Sequence, residues 1–278
     1  MTWFVNYTSD MSISPADRGL AYGDGVFETI HAKPKHFCNL SNHLARLYLG
    51  LERLGMAFDN NDKNRLEGFL QQRILPLIKQ DQVVKILVSR GEGGRGYLPP
   101  EQASHTVAIG VLDFPDYQSI QNQGVAISVS PVPLSENAFF AGIKHLNRLE
   151  QVLAKQHLQS DFFEALMLNT TGKVIEAIQS NVFWFKEGQL FTPAIEQSGV
   201  KGTFRQGILD LVTSNGLHVI NEGCYELKDL LKADEIFLTS SLMKIVPVIR
   251  VQQSHFAIGV NTLNLQRLMQ VKEMHGIR

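Results

Sequence analysis

Two hydrophobic rhythms trade places along this chain. Period-two apolar runs predict strands over residues 2–7, 25–30, 83–89, 107–112, 125–132, 164–168, 173–178, 181–185, 189–192 and 235–239. Runs with a helical stride predict helices between them. Ser41 stands as the N-cap of one, whose apolar face is Leu44, Leu47, Tyr48, Leu51 and Leu54 and which Gly55 closes. A second covers roughly 62–79. A third follows Lys144, with Leu146, Leu149, Val152, Leu153 and Leu158 on or near one face, and a fourth covers about 204–215 and ends at Gly216. The turn Asn169-Thr170-Thr171-Gly172 makes a hairpin of its flanking strands, and Glu187-Gly188 turns another. Residues 14–19 read as a loop, and Arg90 to Tyr97 as a glycine-rich one. Strands and helices are mixed without a strict βαβ alternation, which predicts an α+β fold with mixed or antiparallel sheets rather than a doubly wound one. Between Asp113 and Gln118 a proline sits between two acids, so we expect a domain over 1–113, a linker over 114–118 and a second domain over 119–278.

Composition narrows the function classes. With 278 residues, 44% hydrophobic and 19% charged, the chain can build one large core or two ordinary ones. A net charge of -1 gives no global attraction to nucleic acid or to an anionic membrane. No apolar run is long enough to span a bilayer, and residues 1–7 lack the basic and apolar regions of a secretory signal. Cys38 and Cys224 are too few for a disulfide framework, so the expected compartment is the reducing cytoplasm. His43, His145 and His157 show no metalloenzyme spacing, so no metal is expected. The glycines from Gly91 to Gly96 form neither a dinucleotide fingerprint nor a P-loop, because no helix follows them and no Gly-Lys-Ser/Thr is present.

The candidate chemistry begins at Lys144, in Ala141-Gly142-Ile143-Lys144-His145, with the carboxylate Glu176 set 32 positions later among Ile175, Ala177 and Ile178. A lysine at a glycine-flanked element boundary and a distant buried acid suit pyridoxal-phosphate (PLP) chemistry: the lysine forms a Schiff base with the cofactor aldehyde, and the acid keeps the pyridine nitrogen protonated. On an alternating strand Glu176 faces either water or the interior, and inside it requires a cationic partner such as a pyridinium N–H. Asn181 either orients that carboxylate or is an ordinary turn residue. For the phosphate, the backbone of Thr203 and Phe204 opens a helix after Gly202, Ser240 and Ser241 offer hydroxyls at a strand end, and Arg46 offers a bidentate fork. Arg95, on the glycine-rich loop, is either a substrate-carboxylate residue or a hairpin tip.

Taken together these residues resemble the fold-type IV PLP enzymes, the family of branched-chain and D-amino-acid aminotransferases and aminodeoxychorismate lyases. Arg18 through Thr29 looks like the family's N-terminal signature, His43-Leu44-Ala45-Arg46-Leu47 like its phosphate-arginine helix, and Glu176 through Asn181 with Phe183 like its pyridine-binding strand. Ser89 through Tyr97, Ala141 through Leu153 and Val200 through Gln206 look more like the lyase branch. The resemblance implies a smaller N-terminal α/β sandwich, a larger C-terminal pseudo-barrel, PLP as cofactor, and a homodimer whose active site lies between the two domains of each subunit and is partly covered by the neighbouring one. It implies 4-amino-4-deoxychorismate as the small-molecule substrate, with Lys144 and Glu176 catalytic, Thr29 and Tyr97 near the reacting groups, and Arg95, Arg148 and Arg205 as partners for the two substrate carboxylates. Phe204 stands where family aminotransferases carry a threonine. Glu28 is the aminotransferase-like spelling of its strand, which leaves room for transamination of D- or branched-chain amino acids. A non-catalytic phosphate- or vitamin-binding protein is the reading from another class.

Overall fold

The chain passes from one compact unit to another between Pro115 and Asp116. A computed structural model describes residues 1–275. Its first unit comprises Met1–Pro115 with Ile143–Asn147; the second begins at Asp116, omits that five-residue segment and resumes at Arg148. The return of Ile143–Asn147 to the first unit is absent from the expected division into 1–113 and 119–278, and residues 276–278 of the latter lie outside the described residues.

The first unit contains β1 (Thr2–Val5), α1 (Arg18–Tyr22), β2 (Gly25–Lys33), β3 (His36–Phe37), α2 (Leu40–Arg53), α3 (Asn60–Phe69), β4 (Gln82–Ser89) and β5 (Thr106–Asp113). Its strands pair antiparallel in the order β1-β5-β4-β2-β3. Alternation sends Val26, Ile30, Val84, Ile86, Val88 and Ile109 to one face, where Leu44, Leu47 and Leu51 of α2 and Leu66 of α3 meet them. Gly50 permits that approach, since a Cβ there would lie 2.8 Å from Val26 Cγ1.

Several local expectations shift. The loop over 14–19 gives way at Arg18 to the short helix α1, because the Asp17 side chain accepts from Gly19 N at 2.7 Å and Gly23 closes the turn at φ 65°. Ser41 is not a cap: α2 starts at Leu40 behind Asn39, which is left-handed at φ 55°. The helix expected over 62–79 starts at Asn60, capped by Asp59 and Asp62. It leaves α-geometry after Phe69, widening over Leu70–Ile74 and tightening over Leu75–Leu77, where Pro76 has no N–H to give.

The second unit runs α4 (Gln118–Gln123), β6 (Val125–Val129), α5 (Leu149–Gln156), β7 (Glu164–Leu168), β8 (Lys173–Ala177), β9 (Asn181–Lys186), β10 (Gln189–Pro193), α6 (Thr203–Ser214), β11 (Ile220–Gly223), β12 (Tyr225–Glu226), α7 (Leu227–Leu230), β13 (Glu235–Ser240), β14 (Lys244–Val251), β15 (Ser254–His255) and α8 (Val260–His275). Its sheet follows the order β11-β10-β9-β13-β14-β6-β7-β8-β12, with β15 on β14. The pairs β14–β6, β6–β7 and β10–β11 are parallel and the rest antiparallel. The sheet curls until β8 approaches β9 and β10, giving a nearly closed barrel. Val125, Ile127, Leu166, Val182, Trp184, Ile236, Leu238 and Val246 fill one side. Phe183, Phe185 and Phe237 face the other, under Phe204, Ile208 and Val212 of α6 and Leu265 and Met269 of α8. Burial on both faces explains why β9 reads as continuous apolar sequence.

Both expected hairpins form. Asn169 Oδ1 accepts from Thr171 N and Lys173 N, and Glu187 and Gly188 turn the second at φ 51° and 74°. The helix after Lys144 differs. It starts only at Leu149, Leu146 lies in the first unit, and Leu149 is 76% exposed with Val152 at 50% and Leu153 at 45%, so its covered position is Ala154.

Candidate active site

In the first unit, β2 places candidate residues on both of its faces. Glu28 points to the covered face, between Val26 and Ile30 in the alternation, and is 0% exposed. A carboxylate there requires partners, and α2 supplies two at helical spacing. His43 Nδ1 donates at 2.6 Å, and Arg46 donates through Nε at 2.7 Å and Nη2 at 2.6 Å. Burial pushes the Glu28 carboxyl up, but the charges and hydrogen bonds of Arg46 and His43 outweigh it and hold it at about 2. The fork that the sequence assigned to a phosphate is thus engaged by a protein carboxylate.

Lys144 is fixed against the other edge of β2. Phe27 N donates to Lys144 O at 2.8 Å and Leu146 N to Gly25 O at 2.9 Å, so residues 144–146 extend the sheet where β3 does not reach. Its Nζ lies 4.5 Å from the centroid of the Phe27 ring. Thr29 follows on the same face as Phe27, half-buried and opposite Lys85. Beyond β4, Arg95 and Tyr97 sit on the glycine-rich loop as expected, both exposed, Tyr97 at 88%.

In the second unit, Glu176 faces inward on β8 and is 5% exposed. Its Oε2 accepts from Val200 N at 2.9 Å and from Asn181 Nδ2 at 3.5 Å. Asn181 ties the same turn down, donating to Val200 O at 2.9 Å and accepting from Gly202 N at 3.1 Å. Two glycines make this close fold possible. A Cβ on Gly199, at φ 86°, would press on Ile175 and Glu176, and one on Gly202 would lie 2.1 Å from Asn181 Oδ1. The turn delivers α6, whose first residues Thr203 and Phe204 carry backbone N–H groups with no acceptor inside the helix. Thr203 Oγ1 and Ser241 Oγ are 3.0 Å apart, and Ser240 Oγ accepts from Met243 N at 3.3 Å. The Phe204 side chain packs into the core, so only its backbone remains for an anion.

This donor set fits PLP. A buried carboxylate braced by an amide and an Asn suits a protonated ring nitrogen, and a helix N-terminus beside two hydroxyls suits a phosphate.

One arginine departs from expectation. Arg205 is 2% exposed; its Nη2 donates to Pro193 O at 3.0 Å and to Glu222, so its guanidinium braces α6 against β10 and β11 and is not presented to a substrate. Arg148 occupies the N-cap position of α5. The sequence reading also missed Glu164, 0% exposed on β7. It accepts from Gln179 N at 2.8 Å and from Ser180 Oγ, bracing the turn between Glu176 and Asn181. Burial raises its carboxyl to about 7, against the pull of those hydrogen bonds. Glu28 and Glu164 share one legible signal, an acid at an inward position of an apolar strand, which must be paired or neutral. Among the described residues, no group of three or more His, Cys, Asp and Glu is placed to hold a metal ion, and no helix is long and apolar enough to cross a membrane.

A family model described as amino-transferase class IV matches residues 25–251, so the chain belongs to that family. Among its relatives, an aminodeoxychorismate lyase of Vibrio harveyi is 34% identical over 273 residues, covering 96% of this chain and 98% of the other. A putative branched-chain-amino-acid aminotransferase of Methanocaldococcus jannaschii is 32% identical over 246 residues, covering 87% and 83%. The crystal structure of 4-amino-4-deoxychorismate lyase from Pseudomonas aeruginosa superposes with a TM-score of 0.91 at 34% identity, covering 97% of this chain and 98% of that one.

Proposed function

We propose that this chain is a PLP-dependent lyase that converts 4-amino-4-deoxychorismate to 4-aminobenzoate and pyruvate, a step toward folate. The observation that carries the reading is the Glu176–Asn181–Gly202 turn, which builds a ring-nitrogen acceptor and an anion cradle on one short stretch of chain. The full-length likeness to two lyases supports the choice of reaction. Lys144, Glu176, Asn181, Thr203, the Phe204 backbone, Ser240, Ser241 and Arg46 would hold the cofactor. When bound, it supplies an electron sink for the carbanion formed at the substrate ring.

Lys144 Nζ takes the proton from C4 of the substrate ring. The enolpyruvyl C–O bond at the neighbouring carbon breaks, the ring becomes aromatic, and the departing enolpyruvate gains a proton to become pyruvate. Glu176, held by Val200 N and Asn181, would face the cofactor's ring nitrogen and favour its protonated form. Thr29 and Tyr97 are the candidates for proton delivery and substrate contact. Arg95 is matched to a substrate carboxylate; Arg205, committed to Glu222, is not. We further infer a homodimer, supported by the exposed apolar residues Phe139, Leu149, Val152 and Leu153, and a cytoplasmic enzyme, supported by Cys38 and Cys224 not being joined in a disulfide.

Amino transfer within the same family is the second reading, favoured by the archaeal relative. Glu28 does not add to it, because its side chain is buried against Arg46 and His43. The two readings separate on substrate: turnover of aminodeoxychorismate without a 2-oxo acid supports the lyase, whereas turnover only of a D- or branched-chain amino acid with a 2-oxo acid overturns it. Borohydride trapping of cofactor on Lys144 excludes a non-catalytic binder.

A further inference from the structure

Residues 91–98 form a loop that should be mobile by composition. Gly91, Gly93, Gly94 and Gly96 all adopt positive φ, between 58° and 108°, and glycine loses more conformational freedom on ordering than any other residue. The loop's own ties are sparse: Arg95 and Leu98 exchange backbone hydrogen bonds at 3.1 Å, and Arg18 N donates to Gly91 O at 2.8 Å. What orders the tip is one side chain from outside it. Arg18, 5% exposed, sends Nη1 to Gly96 O at 2.9 Å and Nη2 to Tyr97 O at 3.1 Å, with Gly93 O at 3.4 Å.

That guanidinium is itself held in place. Its Nε donates to Asp24 Oδ2 at 2.9 Å, and Asp24 also accepts from Arg90 Nε at 2.7 Å and Nη2 at 3.0 Å. Arg90 in turn is anchored to the end of α2 through Leu54 O and Gly55 O. The Arg18 guanidinium lies over the Tyr22 ring at 4.9 Å, and that ring meets Tyr97 at 5.6 Å. The Arg18 guanidinium takes loop carbonyls and no loop side chain, and the side chains of Arg95 and Tyr97 are exposed.

We propose that Arg18 is the positioning residue of the substrate-recognition loop: its guanidinium presets Arg95 and Tyr97 to receive a carboxylate of an anionic substrate. The inference rests on the lyase reading for the identity of that substrate. Arginine is required because one planar fork must reach a carboxylate and two carbonyls at once, which a single ammonium does not do.

The test compares holoenzymes carrying Arg18→Gln, Arg18→Lys, Arg95→Ala and the Arg18→Gln/Arg95→Ala pair. Arg18→Gln should raise KM for aminodeoxychorismate about tenfold, the scale of one misplaced charge-assisted contact, with kcat within about twofold and cofactor absorbance retained. Trypsin should cut after Arg95 about tenfold faster, because the tip opens more often. In the Arg95→Ala background Arg18→Gln should add less than about twofold to KM, because the residue through which it acts is gone. Arg18→Lys should show the same KM and cleavage changes, and it stands in for the glutamine variant if that one does not fold. An unchanged KM, a full additional loss in the Arg95→Ala background, or a fall in kcat with loss of cofactor would overturn the proposal. If the wild-type enzyme does not turn over aminodeoxychorismate, the lyase reading fails, while the rate of cleavage after Arg95 still decides whether Arg18 holds the loop.

Discussion

Replacing Glu28 by glutamine keeps the shape of a fully buried side chain and removes its charge. The magnitude can be reached by two routes. A carboxyl held at about 2 when folded and near 4.5 when unfolded contributes about 3 kcal/mol of stability at pH 7. Removing one partner of a buried ion pair costs about 3–5 kcal/mol, because the other charge is stranded, and the Arg46 side chain is only 10% exposed. Both routes point to a loss of about 3 kcal/mol in Glu28→Gln at neutral pH. The sign with pH follows from the depressed folded value. The contribution is present above the unfolded pKa and is lost as pH falls through the folded one, so the gap between wild type and variant should shrink to about 1 kcal/mol by pH 3. Urea unfolding followed by the fluorescence of Trp3, which lies on β1 of the same sheet, measures it. A loss below about 1 kcal/mol at pH 7, or an equal loss at pH 7 and pH 3, would refute the pairing as the source of stability.

Other expectations follow from the same geometry. Lys144→Ala should fall below detectable turnover and yield no borohydride-stable cofactor adduct; an adduct of unchanged yield would move the reactive amine elsewhere. Glu176→Gln should retain cofactor but slow proton removal by about a hundredfold or more, seen as a reduced kcat in a single-turnover experiment; a wild-type rate would remove it as the ring-nitrogen partner. Glu164 has a folded value of about 7, above its unfolded one, so its contribution is present at low pH and lost as pH rises through 7. Wild type should therefore lose about 3 kcal/mol between pH 4.5 and 8, and Glu164→Gln should flatten that slope in urea midpoints taken across the range. Equal slopes would contradict the assignment.

How far the chain discloses its fold depends on the range of the interactions. The hairpins at Asn169 and Glu187-Gly188 and the start of α6 at Gly202 are local, written in turn glycines and period-two runs within a few residues. The Glu176–Asn181–Gly202 turn was half legible: residue types and spacing named its parts, but only the fold shows that Gly199 and Gly202 are required for the close approach. The pairing of Lys144 with Phe27 was not legible, because it joins positions more than a hundred residues apart through main-chain groups that carry no side-chain signal. Arg205 was misread because an arginine at the start of a glycine-capped helix looks like a ligand residue, whereas Glu222, on a strand that pattern reading did not find, takes its charge. Glu28 entered only as a spelling of its strand, although its inward register already required a cation.

The most direct test of the central claim is to mix purified, cofactor-loaded protein with aminodeoxychorismate, generated in place by its synthase, and to measure 4-aminobenzoate and pyruvate together. Equal amounts of both products, formed without any 2-oxo acid and lost in Lys144→Ala, are the expected result. No 4-aminobenzoate from the loaded wild-type protein, with amino transfer between an amino acid and a 2-oxo acid in its place, would contradict it.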